Sequence, residues 1–230
     1  MRIPFVTTSL LFGALTASAQ SAAQATAPSL RGPTAAQLAI AGPDSFDISF
    51  HTTKGKFTAR IIRSVAPRGS DRLWHAARAR YYDGVRFYRV IPGFMAQFGF
   101  HGDPAVTRAW EGFTMPDEPA KVSNTRGTLS FANRGRNSRT VQLFVNTGNN
   151  DSLDGLGFAP IGRVLDGMSV VDSLYSGYGE GAPRGRGPDQ GLIADQGNAY
   201  LTRAFPRLDA IDSARVLRRW PTAPGPAGKP

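Results

Sequence analysis

The chain has 230 residues, 41% hydrophobic and 19% charged, a composition that excludes a disordered chain and a membrane-embedded one and fits a single ordinary domain. It contains no cysteine, which excludes disulfides, thiolate metal sites and cysteine nucleophiles. The formal charge is +10, but the basic residues are spread along the sequence and no nucleic-acid motif accompanies them, so they are assigned to a solvated surface.

Residues 1–19 read as an export signal, with Arg2 at the positive start, an apolar stretch after it, and Ala17-Ser18-Ala19 as a small-residue cleavage site. Thr7, Thr8 and Ser9 interrupt the apolar stretch, and it is shorter than the roughly 20 residues that cross a bilayer. No stable membrane anchor is therefore expected, and the destination is outside the cytoplasm, periplasmic or secreted. Residues 20–43, rich in Ala, Gln, Pro, Ser and Gly, are expected to form a flexible leader. The folded domain is placed at 44–218, and the Pro- and Gly-rich residues 219–230 are expected to be a disordered tail.

Within the domain, Phe46, Ile48 and Phe50 alternate in the strand manner, as do Phe57, Ala59 and Ile61, with Lys54-Gly55 as the turn between them. Ser70 is expected to cap a helix whose face carries Leu73, Trp74, Ala77 and Tyr81, ending at Asp83-Gly84. Apolar stretches at 85–91, 94–99, 127–132, 142–146 and 160–165, separated by turn residues, predict five more strands. A short helical pattern carries Met168, Val171 and Leu174, and a last strand falls at 208–217 after a Gly-rich excursion. Strands in the majority with two helices point to a closed barrel, because closure removes the exposed edges.

Two stretches are more specific than composition. One is Phe87-Tyr88-Arg89-Val90-Ile91-Pro92-Gly93-Phe94-Met95-Ala96-Gln97; the other is Gly127-Thr128-Leu129-Ser130-Phe131-Ala132-Asn133 followed by Gln142-Leu143-Phe144. A third, Leu153-Asp154-Gly155 leading to Gly157-Phe158-Ala159-Pro160-Ile161-Gly162, follows in order. Together they resemble the signature segments of cyclophilin-type peptidyl-prolyl cis-trans isomerases, over about residues 44–176 plus the last strand.

The resemblance implies a mostly β fold, an eight-stranded antiparallel closed β-barrel capped by two α-helices, with a groove on its outer face for a peptidyl-proline. It implies that Arg89 is the catalytic residue and that Phe94, Met95, Phe144, Leu153 and Phe158 form the proline pocket. Gln97, Ala132, Asn133 and Gln142 would line the neighbouring peptide groove. The partners implied are proline-containing segments of folding proteins, met by a monomer, with no nucleic acid. Ser152 stands where many eukaryotic relatives carry Trp, which argues against strong cyclosporin binding. Phe158 replaces a His or Tyr, and Tyr88 replaces the common His beside the catalytic Arg.

The chemistry asks for these residue types. Rotation about an X-Pro bond breaks amide resonance across roughly 18–20 kcal/mol, and no bond is made or cut. No cofactor is needed, and His51, His75 and His101 lie too far apart in sequence for the short spacing of a metal site. Gly177, Gly179 and Gly181 lack the Lys-Ser/Thr of a phosphate loop and are expected to be an ordinary flexible loop. The rival reading is a chaperone-like module that holds proline-containing segments with little catalysis.

Overall fold

The computed structural model describes residues 27–220. The proposed export signal at 1–19, the first part of the leader and the tail beyond residue 220 lie outside the described residues. Among the described residues nine strands form one antiparallel sheet: β1 (Ser45–Thr52), β2 (Gly55–Ile62), β3 (Val85–Arg86), β4 (Arg89–Ile91), β5 (Met95–Phe98), β6 (Thr128–Phe131), β7 (Leu143–Asn146), β8 (Pro160–Asp166) and β9 (Ala210–Trp220).

Their order is β3-β9-β1-β2-β8-β6-β7-β5-β4. The two ends of this order, β3 and β4, are separated in the chain only by Phe87 and Tyr88, so the sheet curls until its edge strands are linked by that joint, with no ladder between them among the described residues. The expected count was eight. The ninth arises because the stretch 85–91 breaks in two: Phe87 and Tyr88 turn their side chains into the protein at 0% and 1% exposure.

The β1–β2 hairpin follows the alternation in the sequence. Phe46, Ile48 and Phe50 face inward with their partners Ile61, Ala59 and Phe57, and the Phe50 and Phe57 rings stack at 4.8 Å. Thr52 pairs with Gly55, so the turn is Thr53-Lys54, one residue earlier than expected. The last strand runs to Trp220, past the expected boundary at 218, because Trp220 and Arg219 complete the ladder against Ser45 and Phe46.

Five α-helices are present among the described residues, not two: α1 (Ala35–Leu38), α2 (Pro67–Arg78), α3 (Pro104–Glu111), α4 (Met168–Asp172) and α5 (Gln190–Ala204). Helix α2 begins with Pro67 at its first turn, three residues before the expected cap. Ser70 lies inside the helix and donates its hydroxyl to Ile62 O at 3.3 Å. The free N–H groups of the first turn, on Arg68 and Gly69, instead donate to the carboxylate of Glu118, at 2.6 and 3.1 Å. At the other end Arg80 takes a left-handed φ of 59°, and Arg80 and Tyr81 donate their N–H groups to Ala77 O and Ala76 O. This paired cap stops the helix before Asp83-Gly84.

The described part of the expected leader is docked on the domain. Thr34 and Gln37 cap α1 reciprocally, and Leu30 and Leu38 pack against the core. Trp110 Nε1 donates to Leu30 O at 2.8 Å, and Asp71 accepts from Gly42 N at 2.8 Å. These partners are distant in sequence, so local composition did not reveal them. Helix α5 lies inside the expected loop region and packs Ile193, Tyr200 and Leu201 with Tyr88, Phe100 and Leu208 into a second, smaller cluster. That cluster abuts the β3–β4 joint.

Candidate active site

Strand register builds the site. Arg89 on β4 pairs with Gln97 on β5, and Gln97 pairs with Phe144 on β7. Side chains two apart share a face, so Met95 joins Gln97, and Gln142, just before β7, joins Phe144. The alternate residues Val90, Ala96, Phe98, Leu143 and Val145 are buried in the core. One face of these strands fills the interior while the other carries Arg89, Met95, Gln97, Gln142 and Phe144 into an outer groove.

The groove encloses about 480 Å³. Every residue that the resemblance assigns to the site lines it: Arg89, Phe94, Met95, Gln97, Ala132, Asn133, Gln142, Phe144, Leu153 and Phe158. Phe94 sits on the turn between β4 and β5, where its carbonyl accepts from Thr147 N at 2.9 Å and Asn150 Nδ2 at 2.7 Å. Leu153 comes from a 3-10 helix at Asp151–Leu156. Gly157, at φ 84°, reverses the chain there and brings Phe158 edge-on to Phe144 at 5.8 Å. Ser152, beside Leu153, is exposed and does not line the groove.

The polar side is equally fixed. Gln142 accepts from the Tyr88 hydroxyl at 2.6 Å and donates through Nε2 to Glu111 at 3.0 Å. Full burial pushes the Tyr88 phenol well above its ordinary pKa, so the hydroxyl stays protonated as a donor. Asn133 accepts from Gly135 N in its own loop at 3.2 Å and donates to Leu156 O, at the end of the 3-10 helix, at 3.4 Å.

The Arg89 guanidinium lies over the Phe94 ring, 5.7 Å from its centre, and donates from Nη1 to Gln97 Oε1 at 3.1 Å. Nε and Nη2 donate to the two carboxylate oxygens of Glu180, each at 2.7 Å. Three of the five N–H donors of a guanidinium therefore reach oxygen, leaving one hydrogen on each Nη, and Nη1 also contacts Met95 Sδ at 3.9 Å. The Arg89 hydrogen bonds hold the Glu180 carboxyl below its ordinary pKa.

Sequence reasoning did not name Glu180, Glu111, Arg134 or Gln190, which border the groove or its arginine. Local signals for two of the helices that bring them were present. Asp103 before Pro104 caps α3, which ends at Glu111, and Asp189 caps α5, which starts at Gln190. No cluster of metal-ligating side chains occurs among the described residues, and no helix there is long and apolar enough to cross a membrane.

Comparison with known proteins gives the family and the fold. A family model described as "Cyclophilin type peptidyl-prolyl cis-trans isomerase/CLD" matches residues 46–189. The chain is 32% identical over 135 residues to "Peptidyl-prolyl cis-trans isomerase B" of Escherichia coli, covering 55% of this chain and 82% of that one. A crystal structure of a Cryptosporidium parvum cyclophilin-type peptidyl-prolyl cis-trans isomerase superimposes with a TM-score of 0.56 at 19% identity, covering 76% of this chain and 99% of that one. The same protein crystallised in the presence of the dipeptide Ala-Pro gives a TM-score of 0.55 at 18% identity, covering 75% and 99%.

Proposed function

The chain belongs to the cyclophilin-type peptidyl-prolyl cis-trans isomerase family, and from that premise we propose that its groove seats a proline-containing segment and speeds rotation about the X-Pro bond. The observation that carries this reading is the placement of Arg89, aimed by Gln97 and Glu180, at the edge of an apolar pocket made by Phe94, Met95, Phe144, Leu153 and Phe158.

The mechanism follows from what changes during rotation. The planar amide nitrogen has no free lone pair; in the twisted state it regains one and becomes an acceptor. A fixed guanidinium N–H then gains a hydrogen bond that the ground state cannot make, which is differential binding of the transition state. A hydrogen bond to a charged group contributes about 1.5–3 kcal/mol, or roughly one to two decades of rate. The apolar pocket supplies a second effect, because the twisted amide is less dipolar than the planar one and loses less on leaving water. Holding the ring while the preceding residue turns adds a positioning effect.

Partner, assembly and compartment belong to the same reading. The groove is complete within one chain, which supports action as a monomer on proline-containing segments of folding proteins. The apolar and small-residue pattern of residues 1–19 supports export, periplasmic or secreted, without a stable membrane anchor. The exposed Ser152 beside the pocket supports weak cyclosporin binding.

The test is exchange NMR on an Ala-Pro peptide with the purified chain. Faster cis-trans exchange, with shifts confined to groove residues, is expected. Binding without faster exchange would replace the isomerase with a holding module.

A further inference from the structure

The acid that grips Arg89 does not come from the sheet that carries it. Glu180 lies 91 positions later, in the segment between α4 and α5, and that segment is built around it. Its carboxylate also accepts from Gly181 N at 3.0 Å, and its carbonyl accepts from Gly187 N at 2.8 Å. Gly181 and Gly187 pair across the loop. A Cβ on Gly185 or Gly187 would come within 2.3 or 2.8 Å of the Glu180 backbone carbonyl oxygen, so these glycines let the loop pack closely against the main chain of Glu180. The loop is anchored at its start, where Tyr175 N donates to Asp209 at 2.7 Å, and Tyr178 packs edge-on against Phe205 at 5.0 Å.

We propose that Glu180 is a positioning residue for the isomerisation, clamping the Nε–Nη2 edge of Arg89 so that its remaining N–H groups aim at the prolyl nitrogen. This rests on the isomerase reading above. The geometry favours aim over stability as the purpose. The Arg89 and Glu180 side chains are 20% and 32% exposed, so the pair is half-buried and its attraction is partly screened by water. A bidentate carboxylate, by contrast, fixes the plane of a guanidinium as well as its place. Gln97 and Met95 Sδ both contact Nη1 alone, so with Glu180 removed the Nε–Nη2 edge is free to swing about that end. Hydrogen bonds weaken steeply as the donor angle departs from linear, so that swing acts on the rotation step. Ring binding depends on the five apolar pocket residues and is left in place.

The experiment compares kcat and KM for an Ala-Pro peptide in the unmutated chain, Glu180→Gln, Arg89→Ala and the double variant. Gln keeps one acceptor but cannot take both N–H groups. The expected result for Glu180→Gln is a fall in kcat of about tenfold, the scale of a misaligned catalytic group, with KM within about twofold. The double variant is expected to match Arg89→Ala alone. A slowly exchanging Arg89 Nε–H signal is expected in the unmutated chain and is expected to be lost in Glu180→Gln, a readout independent of turnover. An unchanged or increased kcat in Glu180→Gln, or a further loss added to Arg89→Ala, overturns the positioning role while the isomerase reading stands. An unmutated chain that does not accelerate exchange removes the reading itself and the role with it.

Discussion

The Tyr88 hydroxyl and Gln142 Oε1 are 2.6 Å apart in the wall of the groove, at 1% and 6% exposure, with the other end of the same amide held by Glu111. Tyr88 belongs to the joint between the two edge strands, so the joint that lets the sheet curl also orients a groove side chain. Tyr88→Phe leaves a buried acceptor unpaired. A loss of about 1–3 kcal/mol in unfolding free energy is expected in a urea titration, with a raised KM for proline peptides. Unchanged KM with lowered stability would remove Gln142 from peptide binding.

Phe144 is 4% exposed and meets Phe158 edge-on, so it serves both the pocket wall and the packing behind it. Phe144→Ala is expected to weaken peptide binding about threefold to tenfold, the scale of one aromatic contact, and Phe144→Leu less. Calorimetric titration reads this directly. Normal affinity in the Ala variant would mean that the ring of proline sits elsewhere.

Glu118 caps α2 from a distant segment and also pairs with Arg139, which is fully buried, at 3.1 Å. Glu118→Ala strips the cap and leaves a buried guanidinium without its nearest charge. A loss of about 3–5 kcal/mol is expected, as for breaking other buried pairs, measurable as a lowered urea midpoint. A loss under about 1 kcal/mol, the usual limit for an exposed pair, would contradict this role.

Burial holds the His75 imidazole below its ordinary pKa, and its Nε2 donates to Ile40 O at 2.7 Å, tying α2 to the leader. The unfolded chain therefore binds a proton at higher pH than the folded one. Stability from keeping His75 neutral is present above the ordinary value of about 6.5 and is lost as pH falls from there toward the folded pKa. Half-buried His101 shifts the same way, through partial desolvation. Melting temperature is expected to fall between about pH 7 and 5, with a shallower slope in His75→Gln. An identical slope in that variant would assign the whole effect to other groups.

What the sequence made legible follows from range. The groove residues stand on short strands whose period of two places Met95 with Gln97 and Gln142 with Phe144, so contiguous motifs specify one face. Phe46, Ile48 and Phe50 announced the hairpin for the same reason. The missed features depend on partners far along the chain. Leader residues Leu30 and Gly42 are held by Trp110 and Asp71, and the α2 cap is Glu118, not the nearby Ser70. Helix α5 breaks at Gly197, whose φ of 57° is not helical, and its two pieces stand because Ile193, Tyr200 and Leu201 bury against Tyr88 and Phe100. The Arg89–Glu180 pair has no local signature at all.

The central claim is that Arg89 stabilises the twisted amide, and the most direct measurement is the cis-trans exchange rate of an Ala-Pro peptide with the unmutated chain and with Arg89→Ala. The account predicts acceleration by the unmutated chain and a loss of about one to two decades in the variant, with peptide affinity and fold retained. Equal acceleration by both proteins would contradict it.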